Sequence, residues 1–146
     1  MLNEGPISWS SKRQSTVALF TIEAEYYALS QAVKEATWLR KLFTDLGLHT
    51  ATAKIPISID SMKINADSTG AIKMAENPIE SKRTTSKHFD IYYHFVQQEV
   101  SSGRIQLNYV PIAENIVDGL TKPLAKPAHQ RFVEKLRLNP NTTSQA

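Results

Sequence analysis

The sequence predicts an α/β layered domain, and its apolar patterning supports that fold class. Apolar residues recur every three or four positions over residues 21–46, which is the period of a helix that buries one face. Short stretches of alternating apolar and polar residues, typical of half-buried strands, lie between further segments with helical spacing. The helices are too many for one face of a sheet, so we expect helices and sheet to pack in layers.

Length, charge and composition limit the function classes. The chain has 146 residues, and we predict one domain over residues 5–138 and a disordered tail over residues 139–146. It contains no cysteine, which excludes disulfides and a thiol nucleophile. Its net charge of +3 permits a nucleic-acid partner but does not establish one. There is no apolar run of membrane-spanning length and no signal peptide, so we expect no membrane association and an intracellular, cytoplasmic or nuclear, location.

The N-terminal half is predicted to form a strand and then the long helix. Residues 7–11 follow a Gly-Pro turn and alternate as a half-buried strand does. Thr21 is a suitable N-cap for the helix, and Gly47 is a suitable residue to end it. Residues 55–59 contain a proline and fit only an edge strand.

The C-terminal half alternates strands and helices. Residues 62–66 read as a buried strand that leads directly into a helix over residues 69–76, which Asn77-Pro78 ends. The pattern then predicts a helix over residues 88–100 and a strand over residues 104–110. Two further helices are expected, at residues 114–120 and 126–138.

Three acidic residues occupy positions at which an α/β domain can form a site. Glu25 lies in the first turns of the long helix, Asp67 ends a strand, and Asp118 lies in a short helix after a strand. Carboxylates brought together in one pocket repel each other, and a divalent cation relieves that repulsion; oxygen ligands favour Mg²⁺ or Mn²⁺. Helix capping and the helix dipole are the alternative explanation of these positions.

Five blocks of sequence occur in a characteristic order. They are residues 7–18 (ISWSSKRQSTVA), 21–26 (TIEAEY), 66–72 (ADSTGAI), 87–95 (KHFDIYYHF) and 109–124 (YVPIAENIVDGLTKPL). Together they closely resemble the ribonuclease H domain at the end of copia-type retrotransposon polyproteins. The resemblance extends from residue 5 to about residue 138.

The resemblance implies a fold and an activity. The fold would be a ribonuclease H-like mixed sheet flanked by helices, and the activity would be two-metal hydrolysis of the RNA strand of an RNA–DNA hybrid. Carried over residue by residue, Glu25, Asp67 and Asp118 match catalytic, metal-binding carboxylates of the family. Glu23 and Asp60 are poorer matches, since the family's motifs surround Glu25 and Asp67.

The sequence also departs from the family pattern. The family's first strand, with its own catalytic aspartate, and most of its second strand have no counterpart in these 146 residues, so we expect impaired activity. Unpaired strand edges would then favour a homodimer or strand exchange with another chain. The alternative function is a non-catalytic remnant that acts as a nucleic-acid or protein interaction module.

Several other residues have both a functional and a structural explanation. Four basic residues are candidates for contacts with nucleic-acid phosphates, although a solvated loop explains them equally well: Lys82, Arg83, Lys87 and Arg104. For Trp9 and Trp38 we favour burial in the core over stacking on bases. For His88, Asp90 and His94 we favour capping and helix packing over a metal site.

Overall fold

The computed structural model describes residues 6–12, 14, 21–48, 60–77 and 87–136, although the side chains of residues 87–89, 113 and 118 are excepted. The chain divides into two compact units, one of residues 17–110 and the other of residues 1–16 with 111–146. The predicted domain over residues 5–138 stays a prediction, and residues 139–146 lie outside the described part of the chain.

The long helix forms almost as predicted. Helix α1 is Thr21–Asp45, and five positions of the predicted apolar stripe are buried: Tyr26, Leu29, Val33, Ala36 and Phe43. Gly47 adopts a φ of +67°, in the left-handed region that favours glycine, and its N–H donates to the Thr44 carbonyl at 3.0 Å. The apolar pattern over residues 21–46 also includes Ile22 and Leu46, and these two ends are not buried: Ile22 is 38% exposed, and Leu46, which follows the last helical residue, is 61% exposed.

Two parallel strands form the sheet. Strand β1 is Met62–Ala66 and strand β2 is Ile105–Tyr109, paired with Met62 opposite Ile105. The two strands run side by side as far as Val110, whose N–H donates to the Ala66 carbonyl at 2.9 Å. Both strands were predicted, and in the described residues no third strand pairs with them. The architecture is therefore mixed α/β, while the ribonuclease H-like fold stays a prediction.

Three helices cover this sheet and enclose the core of the larger unit. Helix α2 is Thr69–Glu76 and helix α3 is Lys87–Ser101. The core joins α1 to α2, α3 and both strands, and its least exposed side chains are Tyr26, Ser30, Val33, Tyr93 and Val96. Helix α2 begins and ends as predicted, because the Ser68 side chain accepts from the Ala71 N–H and the Asn77 N–H donates to the Lys73 carbonyl.

The smaller unit contains short helices. A 3-10 turn covers Ile112–Glu114, helix α4 is Asp118–Thr121, and helix α5 is Lys126–Lys135. The predicted helix over residues 114–120 is thus replaced by two shorter elements. Lys135 Nζ donates to the Glu114 carbonyl at 3.1 Å and links the two ends of this segment. In the residues that the structure describes, no helix has the length and apolarity needed to cross a membrane.

Two predictions near the surface are wrong. Residues 6–12 form no strand, because alternation alone does not supply the ladder partner that a strand requires. Trp9 is 71% exposed and Trp38 is 56% exposed, so neither belongs to the core. Trp38 follows Val33 by five positions, which places it on the opposite side of α1 from the buried stripe. The predicted edge strand at residues 55–59 lies outside the described residues.

An ion pair closes the turn between α3 and β2. Arg104 donates from Nε and from Nη2 to the two carboxylate oxygens of Glu99, each at 2.8 Å. Gly103 permits this turn with a φ of +73°. The hydrogen bonds from Arg104 lower the pKa of Glu99 below its ordinary value; burial opposes this, and the charges of Arg104 and Arg40 add to the lowering. The pair therefore fixes the start of β2 relative to the end of α3.

We predict that Glu99→Gln lowers the free energy of unfolding at neutral pH by about 1 kcal/mol, because Arg104 loses a charged acceptor at a partly exposed site. The folded pKa of Glu99 lies below the unfolded one, so its stabilisation is complete above the unfolded pKa and is lost as pH falls through the folded pKa. Wild type and variant should therefore converge in acid, as measured by chemical denaturation. Glu76→Gln, at an exposed position, is the control, and an equal effect there would contradict the prediction.

Candidate functional site

Asp67 lies at the carboxyl end of β1, where the parallel sheet meets helix α2. Ala66 still belongs to the sheet, because its carbonyl accepts from the Val110 N–H. Ser68, two residues later, caps the first turn of α2. Asp67 therefore lies with Ser68 in a two-residue junction and is half-buried there. The carboxyl ends of parallel strands are the usual location of binding sites in α/β proteins.

Glu25 approaches Asp67 from α1. Partial burial raises the pKa of Glu25, and the negative charge of Asp67 raises it further. The structure therefore brings these two predicted site residues within electrostatic range of each other. Glu23 lies two residues earlier, about 200° around the helix, and is only 8% exposed. Because the charge of Asp67 raises the pKa of Glu25, Glu25 is a better candidate than Glu23 to share a site with Asp67.

Asp118 is the first residue of α4, in the smaller unit. The next residue, Gly119, lies so close to the Phe132 ring of α5 that a Cβ there would overlap the ring. The Asp118 side chain lies outside the described residues. Its predicted approach to Glu25 and Asp67 stays a prediction.

The pair of carboxylates fits a hard divalent cation. Mg²⁺ is commonly bound by one or two carboxylates together with waters and substrate phosphates. Among the residues that the structure describes, no group of three or more His, Cys, Asp or Glu side chains could hold a metal ion. Glu25 and Asp67 could therefore provide part of a coordination shell, and other ligands must complete it.

The basic residues predicted to contact nucleic acid are only partly described. Lys82, Arg83 and the side chain of Lys87 lie outside the described residues. Arg104 is described, and its guanidinium is engaged by Glu99. Its position in the structure is explained by that ion pair, and a contact with phosphate stays a prediction. In α3, Asp90 and His94 are exposed, and the side chain of His88 is not described.

One neighbour of the carboxylates, Gly70, was not predicted from the sequence. Gly70 lies in the first turn of α2 and faces Ile22, in the first turn of α1, so closely that a Cβ on Gly70 would come within 2.8 Å of the Ile22 side chain. A glycine inside a predicted helix was the available signal, since glycine there disfavours the helix and indicates a close contact.

Comparisons with known proteins identify relatives along most of the chain. The "Retrovirus-related Pol polyprotein from transposon RE1" of Arabidopsis thaliana is 35% identical over 135 residues, covering 92% of this chain and 8% of that protein. The corresponding RE2 polyprotein of Arabidopsis thaliana is 34% identical over 135 residues, with 92% and 9% covered. The polyprotein from transposon TNT 1-94 of Nicotiana tabacum is 33% identical over 137 residues, with 94% and 10% covered.

These homologues are thus much longer than the chain, which spans 8–10% of their length. No family model matches the chain, and no solved structure matches it.

We predict that Mg²⁺ stabilises the wild type and stabilises Asp67→Asn less, because the substitution removes one of the two neighbouring carboxylates. At a tenfold excess of Mg²⁺ over its Kd the gain should be about 1.4 kcal/mol. Thermal melting over a Mg²⁺ series measures it. Asp60→Asn, at an exposed residue shortly before β1, is the matched control and should respond as the wild type does. Equal melting temperatures with and without Mg²⁺ in all three proteins would refute the site.

The same pair predicts a titration result in the absence of metal. Asp67→Asn should lower the pKa of Glu25 without restoring its ordinary value, because burial is the larger of the two causes. Because the pKa of Glu25 is raised in the folded state, protonated Glu25 stabilises that state. This stabilisation is complete below the unfolded pKa and is lost as pH rises through the folded pKa. Carbon-detected NMR of the Glu25 carboxyl follows this directly. If its pKa were the same in Asp67→Asn, the two carboxylates would not interact.

Proposed function

We propose, from its homology to retrovirus-related Pol polyproteins, that this chain is a ribonuclease H-like domain of copia-type retrotransposon origin. Its ancestral activity would be hydrolysis of the RNA strand of RNA–DNA hybrids with Mg²⁺ or Mn²⁺. The observation that carries the proposal is the juxtaposition of Glu25 and Asp67 at the carboxyl end of β1. Both residues lie in sequence blocks that resemble the metal-site motifs of that family.

The roles of the residues follow from their positions. The Asp67 backbone is held between the sheet ladder and the capped start of α2, so its carboxylate projects from a fixed position of the chain. Glu25 is more exposed, and its pKa is raised first by removal of part of its carboxyl from solvent and then by the negative charge of Asp67. A bound divalent cation would supply Lewis-acid activation of water and charge stabilisation at the leaving oxygen. The two carboxylates would bind and orient it.

We propose that the two carboxylates that the structure brings together support only low activity by themselves. The residues that the structure describes contribute Glu25 and Asp67 to the site. Two-metal sites hold ions about 3.5–4 Å apart and clamp both the attacking and the leaving oxygen. With ligands for only part of that arrangement, the transition state would be stabilised incompletely, and the rate would fall.

We predict that the chain cleaves a labelled RNA–DNA hybrid in Mg²⁺ more slowly than about 1 per second, the lower end of typical enzyme rates. Glu25→Gln and Asp67→Asn should each remove the residual cleavage, while Asp60→Asn should leave it unchanged. Product analysis on a denaturing gel measures the rate, with a DNA–DNA duplex as substrate control.

Three results would change the proposal. Cleavage at about 1 per second or faster would show that the activity is not impaired. Residual cleavage that survives both Glu25→Gln and Asp67→Asn would belong to a contaminant or another site. Hybrid binding without cleavage in Mg²⁺ or Mn²⁺, unaffected by either substitution, would favour the non-catalytic interaction module.

A further inference from the structure

Helices α1 and α2 approach each other closely beside the carboxylate pair. Gly70 comes three residues after Asp67, and Ile22 comes three residues before Glu25. A Cβ added to Gly70 would lie 2.8 Å from Cδ1 and 3.3 Å from Cγ1 of Ile22. The contact therefore connects the same two segments that carry Glu25 and Asp67, one helical turn away from the carboxylates.

Only part of this overlap can be relieved by the Ile22 side chain. Rotation about χ2 would move Cδ1 away, because Ile22 is 38% exposed and has room on its outer side. The position of Cγ1 depends on χ1 and on the α1 backbone, so while χ1 keeps its rotamer Cγ1 can move away only together with that backbone. The 3.3 Å contact then remains, and relieving it requires the neighbour to move by a few tenths of an ångström.

A shift of that size matters at a metal site. Ligand distances are held to within about 0.2 Å of their preferred values, so a few tenths of an ångström between two ligands disturbs coordination. We propose that the close contact of Gly70 with Ile22 sets the separation of Glu25 and Asp67, which makes Gly70 a positioning residue for the cation site. The effect on a bound cation rests on the proposed function, whereas the effect on the separation of the two helices rests only on the contact between Gly70 and Ile22.

Helix propensity and the contact with Ile22 predict different effects of Gly70→Ala, so the variant can separate a positioning role from a purely structural one. Alanine favours a helix interior more than glycine does, so Gly70→Ala taken alone should preserve or raise the melting temperature. A purely structural role for Gly70 predicts parallel changes in melting and in metal affinity. A positioning role predicts weaker metal affinity that Ile22→Ala restores, whatever the change in melting temperature.

The first experiment measures Mg²⁺ affinity by calorimetry. Gly70→Ala should weaken it by about tenfold, the lower end of losses seen when residues that orient metal ligands are changed. Ile22→Ala in the same chain should restore it, because it removes both atoms that the new Cβ would meet. Lys73→Ala, at an exposed position of α2, is the control and should bind as the wild type does. Unchanged affinity in Gly70→Ala would overturn the proposal.

The second experiment is independent of metal. The chain has no cysteine, so Glu25→Cys with Asp67→Cys gives a single thiol pair that a short bifunctional thiol reagent can bridge. Gly70→Ala should slow bridging by at least about threefold, a change within the usual coupling between contacting residues, and Ile22→Ala should restore the rate. Equal bridging rates with glycine and alanine at position 70 would overturn the proposal.

The two experiments distinguish the possible failures. Slower bridging with no Mg²⁺ binding in any protein, wild type included, would leave the positioning contact standing and refute the proposed cation site. If Gly70→Ala does not fold, Ile22→Phe enlarges the side chain that faces Gly70 and should give the same losses. Normal affinity and normal bridging in Ile22→Phe would then overturn the proposal.

Discussion

The packing of Tyr26 against Tyr93 is the contact on which the larger unit depends. Their rings stack with centroids 5.6 Å apart, and the Tyr26 hydroxyl donates to the Tyr93 carbonyl at 3.2 Å. The Tyr93 hydroxyl donates in turn to the carbonyl of Asn77, the residue that ends α2, at 3.3 Å. One pair of nearly inaccessible side chains therefore ties α1, α2 and α3 together. Glu25 precedes Tyr26 in the sequence, so the same packing fixes where α1 presents its carboxylate.

Position along the sheet explains why that carboxylate meets Asp67. Parallel strands end at the same edge, and helix α2 starts there with only Asp67 and Ser68 between strand and helix. α1 crosses this edge with its first turns, where Gly70 permits a close approach by Ile22. The core thus determines where α1 lies along the sheet and in which direction it runs, and Gly70 determines how close α1 comes to α2. Packing of this kind locates the carboxylates without any direct bond between them.

Local rules predicted the elements, and tertiary contacts determined what the sequence left open. The range and end of α1 followed from apolar period and Gly47, because both act within a few residues. Trp38 was misplaced because a large aromatic is usually buried, whereas the helical period puts it opposite Val33. Neither period nor capping distinguished Glu25 from Glu23; the family resemblance preferred Glu25, and the proximity to Asp67 agrees with it.

The two glutamates whose pKa values shift in opposite directions indicate which one is structural. Glu99 is buried beside Arg104, which satisfies both of its carboxylate oxygens and lowers its pKa, so the fold itself compensates this charge. Glu25 has its pKa raised by partial burial and by Asp67, so the fold adds to the cost of its charge. A divalent cation bound between two carboxylates would replace their repulsion by attraction to the ion. Cation binding would then favour the folded state as well as the proposed chemistry, because the arrangement of α1 over β1 that would bind the ion is also the one in which the carboxylates repel without it.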